Sequence, residues 1–183
     1  MKTIEILKII ICDMDDPEET IKSGDADHIY RDNAKTIIFA ASHVENRLAA
    51  GVGKYFFGDN RDLFFEFDNL VLSSDYFSFS SKRKTFLYIV RKQKILKGSE
   101  CADLERLLAK SIKYRNMFTH GTPIYSGSRC ILHYFEGCKK EKEITDSFLS
   151  TVEEDLTKAV LATENIVQLI KQSNTYRDRD AHY

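Results

Sequence analysis

A chain of 183 residues suffices for one domain that buries roughly 70% of its unfolded surface, so no disulfide or metal is needed for stability. Its 43% hydrophobic and 30% charged content excludes a disordered chain. The formal charge of −1 excludes a protein that coats a polyanion through its overall field; any such contact must rest on a local basic surface.

Two prolines and eight glycines favour long helices over a turn-rich all-β fold. Cys12, Cys101, Cys130 and Cys138 form no CxxC pair, so neither a zinc site nor a redox motif is indicated, and reduced thiols are expected. Residues 3–12 read as a strand through β-branching, or as a helix through Ile4, Leu7 and Ile11. Glu5 and Lys8 interrupt this run, which is shorter than the ~20 apolar residues of a bilayer span. It also lacks a signal-peptide cleavage site, so a cytoplasmic protein without a membrane partner is expected.

Asp16-Pro17-Glu18-Glu19 reads as an N-cap, a proline at the first helical position and acids in the first turn of a brief helix. Ser23-Gly24-Asp25 interrupts it. A long helix is predicted over about 27–56, with Ile29, Ile37, Ile38, Ala41, Val44, Leu48, Val52, Tyr55 and Phe56 in its apolar stripe and Glu45 beside it. Gly51 and Gly53 each cost about 1 kcal/mol against alanine in a helix, which points to close packing or to fraying. Gly58-Asp59-Asn60 closes this helix. The aromatic-rich segment 63–72 carries no decisive period.

Ser78 to Ser81 offer caps for a helix over about 81–96. Its polar surface holds Lys82, Arg83, Lys84, Arg91, Lys92 and Lys94, the most basic segment of the chain. The next helix, about 100–119, has Leu104, Leu107, Leu108 and Ile112 as its stripe. Residues 129–134 have strand character, and Gly137 with the return 142–144 makes a short hairpin. A last helix runs from about 145 to 172, and 174–183 is a polar tail expected to fray. Residues 1–183 are expected to form a single domain.

The helix over 100–119 ends in Lys113-Tyr114-Arg115-Asn116-Met117-Phe118-Thr119-His120-Gly121, followed by the stop Thr122-Pro123. Arg115-Asn116-x-x-x-His120 at a helix end resembles the Rx4–6H motif of the HEPN superfamily of helical ribonucleases and toxins. The order of elements is similar too: a long first helix with Glu45, a polar-capped second helix, the motif helix and a long final helix. The resemblance implies an all-α, antiparallel bundle of four or five helices, here with the small hairpin between the last two. It implies a metal-independent endoribonuclease acting as a homodimer, without a cofactor, often restrained by an antitoxin or working within antiphage defence. Arg115, Asn116 and His120 are the residues carried over. Some toxin members place a modifiable tyrosine two residues after the histidine. Thr122 stands there in this chain, with Tyr125 further on, which puts that mode of regulation in doubt.

The chemistry suits these residue types. RNA is cut without metal when its 2′-OH attacks the adjacent phosphorus, which requires a base, an acid and positive charge on the transition state. Histidine titrates between pH 5 and 8, which suits it to either proton transfer; arginine binds phosphate oxygens through a planar fork. Asn116 and His120 are four apart, on one helix face, so the amide can orient the ring. Arg115 and His120 are five apart, about 140° around a regular helix, and converge only if Gly121 lets the last turn loosen. One histidine cannot easily serve as both acid and base, so a symmetric dimer is expected to complete the site.

Supporting residues are less constrained. Lys82 and Lys84 are the best candidates for contacting RNA. Glu45 is either a core carboxylate paired with Arg115 or Lys82, or an exposed residue. His43, four residues from Arg47, reads as a packing or surface histidine, and His28, His133 and His182 lack metal-ligand spacing. The alternative to a nuclease is a non-catalytic helical module that binds nucleic acid, nucleotide or a protein partner, with Arg115, Asn116 and His120 serving as helix caps.

Overall fold

Helical periods become helices through most of the chain. A computed structural model describes residues 1–4, 26–74, 76–126 and 129–172. The expectations for most of the run 3–12, for the capped helix after Asp16 and for the tail 174–183 lie outside those residues. Helix α1 is Ala26–Phe57; α2, Arg61–Phe67, continues as a π-helical turn, Asp68–Leu72; α3 is Phe79–Lys92 and α4 is Gly98–His120. Three strands follow, β1 Thr122–Ser126, β2 Arg129–Glu136 and β3 Cys138–Glu143, before α5, Asp146–Leu169.

The all-α expectation is therefore corrected. The predicted hairpin is present as β2–β3, with Gly137 turning the chain at a φ of 73°. Strand β1 pairs with the other side of β2, giving an antiparallel sheet in the order β1-β2-β3. Pro123 lies inside β1, which an edge strand tolerates because one side of it makes no ladder bonds within this sheet. The fold is mainly helical with a small sheet.

The chain forms two compact units. The first comprises Met1–Ser42 and Lys110–Lys158. Its core joins Tyr30, Ala34, Ile37 and Ala41 of α1 to Tyr114, Met117 and Phe118 of α4. Cys130 and Leu132 of β2 enter from alternate positions, and Leu149, Val152 and Leu156 of α5 complete the packing. By contrast β3, Cys-Lys-Lys-Glu-Lys-Glu, buries none of its residues, and its run of charged side chains suits an edge strand. Asn33 is fully buried. Its Oδ1 accepts from the Ile4 N–H at 2.9 Å and its Nδ2 donates to the Lys2 carbonyl at 2.9 Å, so one side chain holds the first residues in the core. Asn33→Ala removes both bonds and is expected to cost about 1–3 kcal/mol, measured by urea denaturation. A loss below ~0.5 kcal/mol would mean that those bonds hold nothing.

The second unit comprises His43–Ala109 and Ala159–Tyr183. Val44, Leu48, Val52 and Tyr55 of α1, Phe86, Ile89 and Val90 of α3, Leu104 and Leu108 of α4, and Val160 and Ile166 of α5 are buried in it. The glycines of α1 mark close packing and not fraying, because the helix continues to Phe57. A Cβ on Gly51 would sit 2.9 Å from Phe86 Cδ2 and 3.1 Å from Ile170 Cδ1, and one on Gly53 would strike the Phe64 ring. Gly51→Ala is thus expected to lower stability by about 1–3 kcal/mol through overpacking, outweighing its ~1 kcal/mol of better helix propensity. A higher melting temperature for that variant would refute the close contact. Gly58 then closes α1 in the left-handed region, at a φ of 60°, with its N–H on the Lys54 carbonyl at 3.0 Å.

Candidate active site

The motif helix α4 is held in the first unit by its apolar face. Tyr114, Met117 and Phe118 are buried, Arg115 is half-buried, and Asn116, Thr119 and His120 are exposed. Polar bonds reinforce the packing. Asp155 on α5 accepts from Tyr114 Oη at 2.7 Å and from Lys110 Nζ at 2.9 and 3.0 Å. Two side chains one turn apart on α4 therefore grip one carboxylate. Burial first, then the bond to Asp155 and its charge, pushes the Tyr114 phenol well above its usual range, so this hydroxyl remains a donor at any ordinary pH. On the same helix Lys113 pairs with Glu136 of β2 at 3.0 Å. Tyr125 of β1 donates to Asp27 of α1 at 2.9 Å.

These anchors leave the motif side chains uncommitted. Among the described residues, none makes a side-chain hydrogen bond or ion pair with Arg115, Asn116 or His120. The helix stays regular through His120 and does not loosen. Gly121 serves a different purpose from the expected one. Its φ lies outside the left-handed region. A Cβ there would run into the Met117 carbonyl and lie 2.7 Å from Leu132 Cδ1, so glycine is what allows β1 to start against β2. Asn116 and His120 therefore share a face without being bonded, while Arg115 and His120 stay about 140° apart around the helix. One chain does not bring Arg115 and His120 together.

The supporting residues lie in the second unit. Glu45 takes one of its expected alternatives: it pairs with Lys82 at 2.7 Å, their side chains only 15% and 10% exposed. Lys82 thus departs from the expected polar surface of α3 and offers no free ammonium group to a ligand. Lys84 is exposed. Arg91 is paired with Glu105 at 2.6 Å.

One cluster escaped the sequence. His43 Nε2 lies 3.3 Å from both Arg47 Nε and Glu164 Oε1, and a cleft of about 280 Å³ beside it is lined by Arg47, Glu164, Asn165, Val167 and Gln168. The four-residue spacing of His43 and Arg47 was visible, but no local pattern announces a glutamate 121 positions away. Cys101, Cys130 and Cys138 are free thiols. Among the described residues, no three His, Cys, Asp or Glu side chains are grouped to hold a metal ion, and no helix is long and apolar enough to cross a membrane. Compared with protein-family models, with curated proteins and with solved structures, the chain matches none.

Proposed function

We propose that this chain is a metal-independent endoribonuclease of HEPN type, its site completed by a second copy of the chain. The observation that carries the reading is the set of three uncommitted polar groups, Arg115, Asn116 and His120, on a helix end whose other face is fixed by Tyr114, Met117 and Phe118. Groups that serve only as local caps would be expected to show local partners.

In this reading the 2′-OH of one nucleotide attacks the adjacent phosphorus while His120 of one copy takes its proton. The bond from phosphorus to the 5′-oxygen breaks, and His120 of the other copy protonates that oxygen, leaving a 2′,3′-cyclic phosphate. The Arg115 guanidinium stabilises the charge on the phosphoryl oxygens. Asn116 steadies the ring once substrate closes the site. The reading requires a dimer, because a regular helix separates Arg115 from His120 of the same copy. An antitoxin or a defence-system partner would be the natural restraint on such an activity.

A second reading, a non-catalytic helical module for nucleic acid, nucleotide or a protein partner, is favoured by the absence of an Asn116–His120 bond among the described residues. Incubating the purified chain with RNA in EDTA separates the two. The nuclease cuts under those conditions; intact RNA across single-stranded, duplex and structured substrates would favour the binding module.

A further inference from the structure

Three residues of α3 stand four apart in a row: Lys84, Tyr88 and Lys92. That spacing places them one above another on a single helix face. All three are exposed, Tyr88 at 58%. The ring is not left over from a larger apolar surface, since Phe79, Phe86, Leu87, Ile89 and Val90 of the same helix are all buried. Lys92 Nζ lies 5.7 Å from the centroid of the Tyr88 ring and 5.7 Å from that of buried Tyr55. The cation is thereby held beside the exposed ring. Lys82 and Arg91 are committed to Glu45 and Glu105, but among the described residues no carboxylate pairs with Lys84 or Lys92.

We propose that this Lys84–Tyr88–Lys92 face binds single-stranded RNA, with the tyrosine ring stacked on a base and the two lysines on flanking phosphates. The row is about 12 Å long at ~1.5 Å per residue, the length of three to four stacked nucleotides at ~3.4 Å each. An aromatic platform between cations is the chemistry that holds single strands without reading sequence. A membrane surface fits less well, because it calls for a broad apolar face and α3 exposes a single phenol. This inference rests on the ribonuclease reading for the identity of the ligand and names where the substrate strand is gripped.

The test uses the full chain and a fluorescein-labelled 2′-O-methyl oligouridine, whose blocked 2′-oxygen prevents cleavage, with affinity read by fluorescence anisotropy. Tyr88→Ala is expected to weaken binding about fivefold or more, while Tyr88→Phe stays within about twofold. Lys84→Ala is expected to reduce the slope of log affinity against log salt by about 0.7, the value for one phosphate of a single strand. Both positions are exposed, so circular dichroism should show an unchanged helix content. Three outcomes overturn the proposal: no binding of the oligonucleotide by the wild type, equal affinity for wild type and Tyr88→Ala, or uptake of phosphatidylserine vesicles in place of the oligonucleotide. Failure of the nuclease reading looks different, since unmodified RNA would then stay intact while the Tyr88→Ala loss persisted.

Discussion

Replacing His120 with alanine is expected to slow RNA cleavage in EDTA by about 10²–10⁴-fold, the usual contribution of a positioned acid or base. Because two copies of the histidine serve one site, the loss should lie toward the upper end. The side chain is exposed and makes no bond among the described residues, so thermal unfolding should move by no more than ~0.5 kcal/mol. That separation between activity and stability makes the result diagnostic. Cleavage that persists at the wild-type rate in His120→Ala would remove the imidazole from the chemistry and leave the helix end as an ordinary surface. Arg115→Lys offers a complementary reading: it keeps the charge but loses the planar fork, so a bidentate phosphate contact predicts a defect that a simple point charge does not.

Breaking the Lys82–Glu45 pair is expected to produce the largest loss of stability, about 3–5 kcal/mol for either single alanine substitution, measured by urea denaturation. The physical reason is the partner left behind. At 10% and 15% exposure neither group can recover full hydration, so each single variant strands a charge at the 2.7 Å contact. Replacing both together, Lys82→Met with Glu45→Leu, should recover most of that loss, because the cost lies in the unpaired ion and not in the absence of the pair. A double variant as unstable as the singles would point to lost packing instead, through the lysine stem that α3 buries with Phe86 and Val90.

The long helices were legible because their apolar residues recur at helical spacing over many turns, as at Val44, Leu48, Val52 and Tyr55, with serine caps and glycine stops at their ends. Ser78 illustrates the point: its side chain accepts from the Ser81 N–H at the start of α3. The β2–β3 hairpin was legible from Gly137 and the largely apolar and aromatic run before it. Strand β1 was not. Thr122-Pro123-Ile124-Tyr125-Ser126 has no apolar alternation, and its proline reads locally as a stop. It becomes a strand because β2 supplies a ladder, with Ile124 opposite Ile131 and Tyr125 opposite Cys130. Segment 63–72 failed for a related reason. Its aromatics follow neither period, and in the structure it changes from α-helix to a π-helical turn at Asp68.

The sequence by itself determined the helical elements, the placing of Arg115, Asn116 and His120 at the end of one of them, and the one-face relation of Asn116 to His120, since each depends only on spacing along a helix. Tertiary structure decided everything that needed a distant partner. It showed that Glu45 belongs to Lys82, that Gly121 is required by Leu132 and the Met117 carbonyl and not by a loosened turn, and that Lys84 is exposed where Lys82 is buried. A local pattern can state which face a residue occupies, but only the packing of another element can state whether that face meets water or a charge.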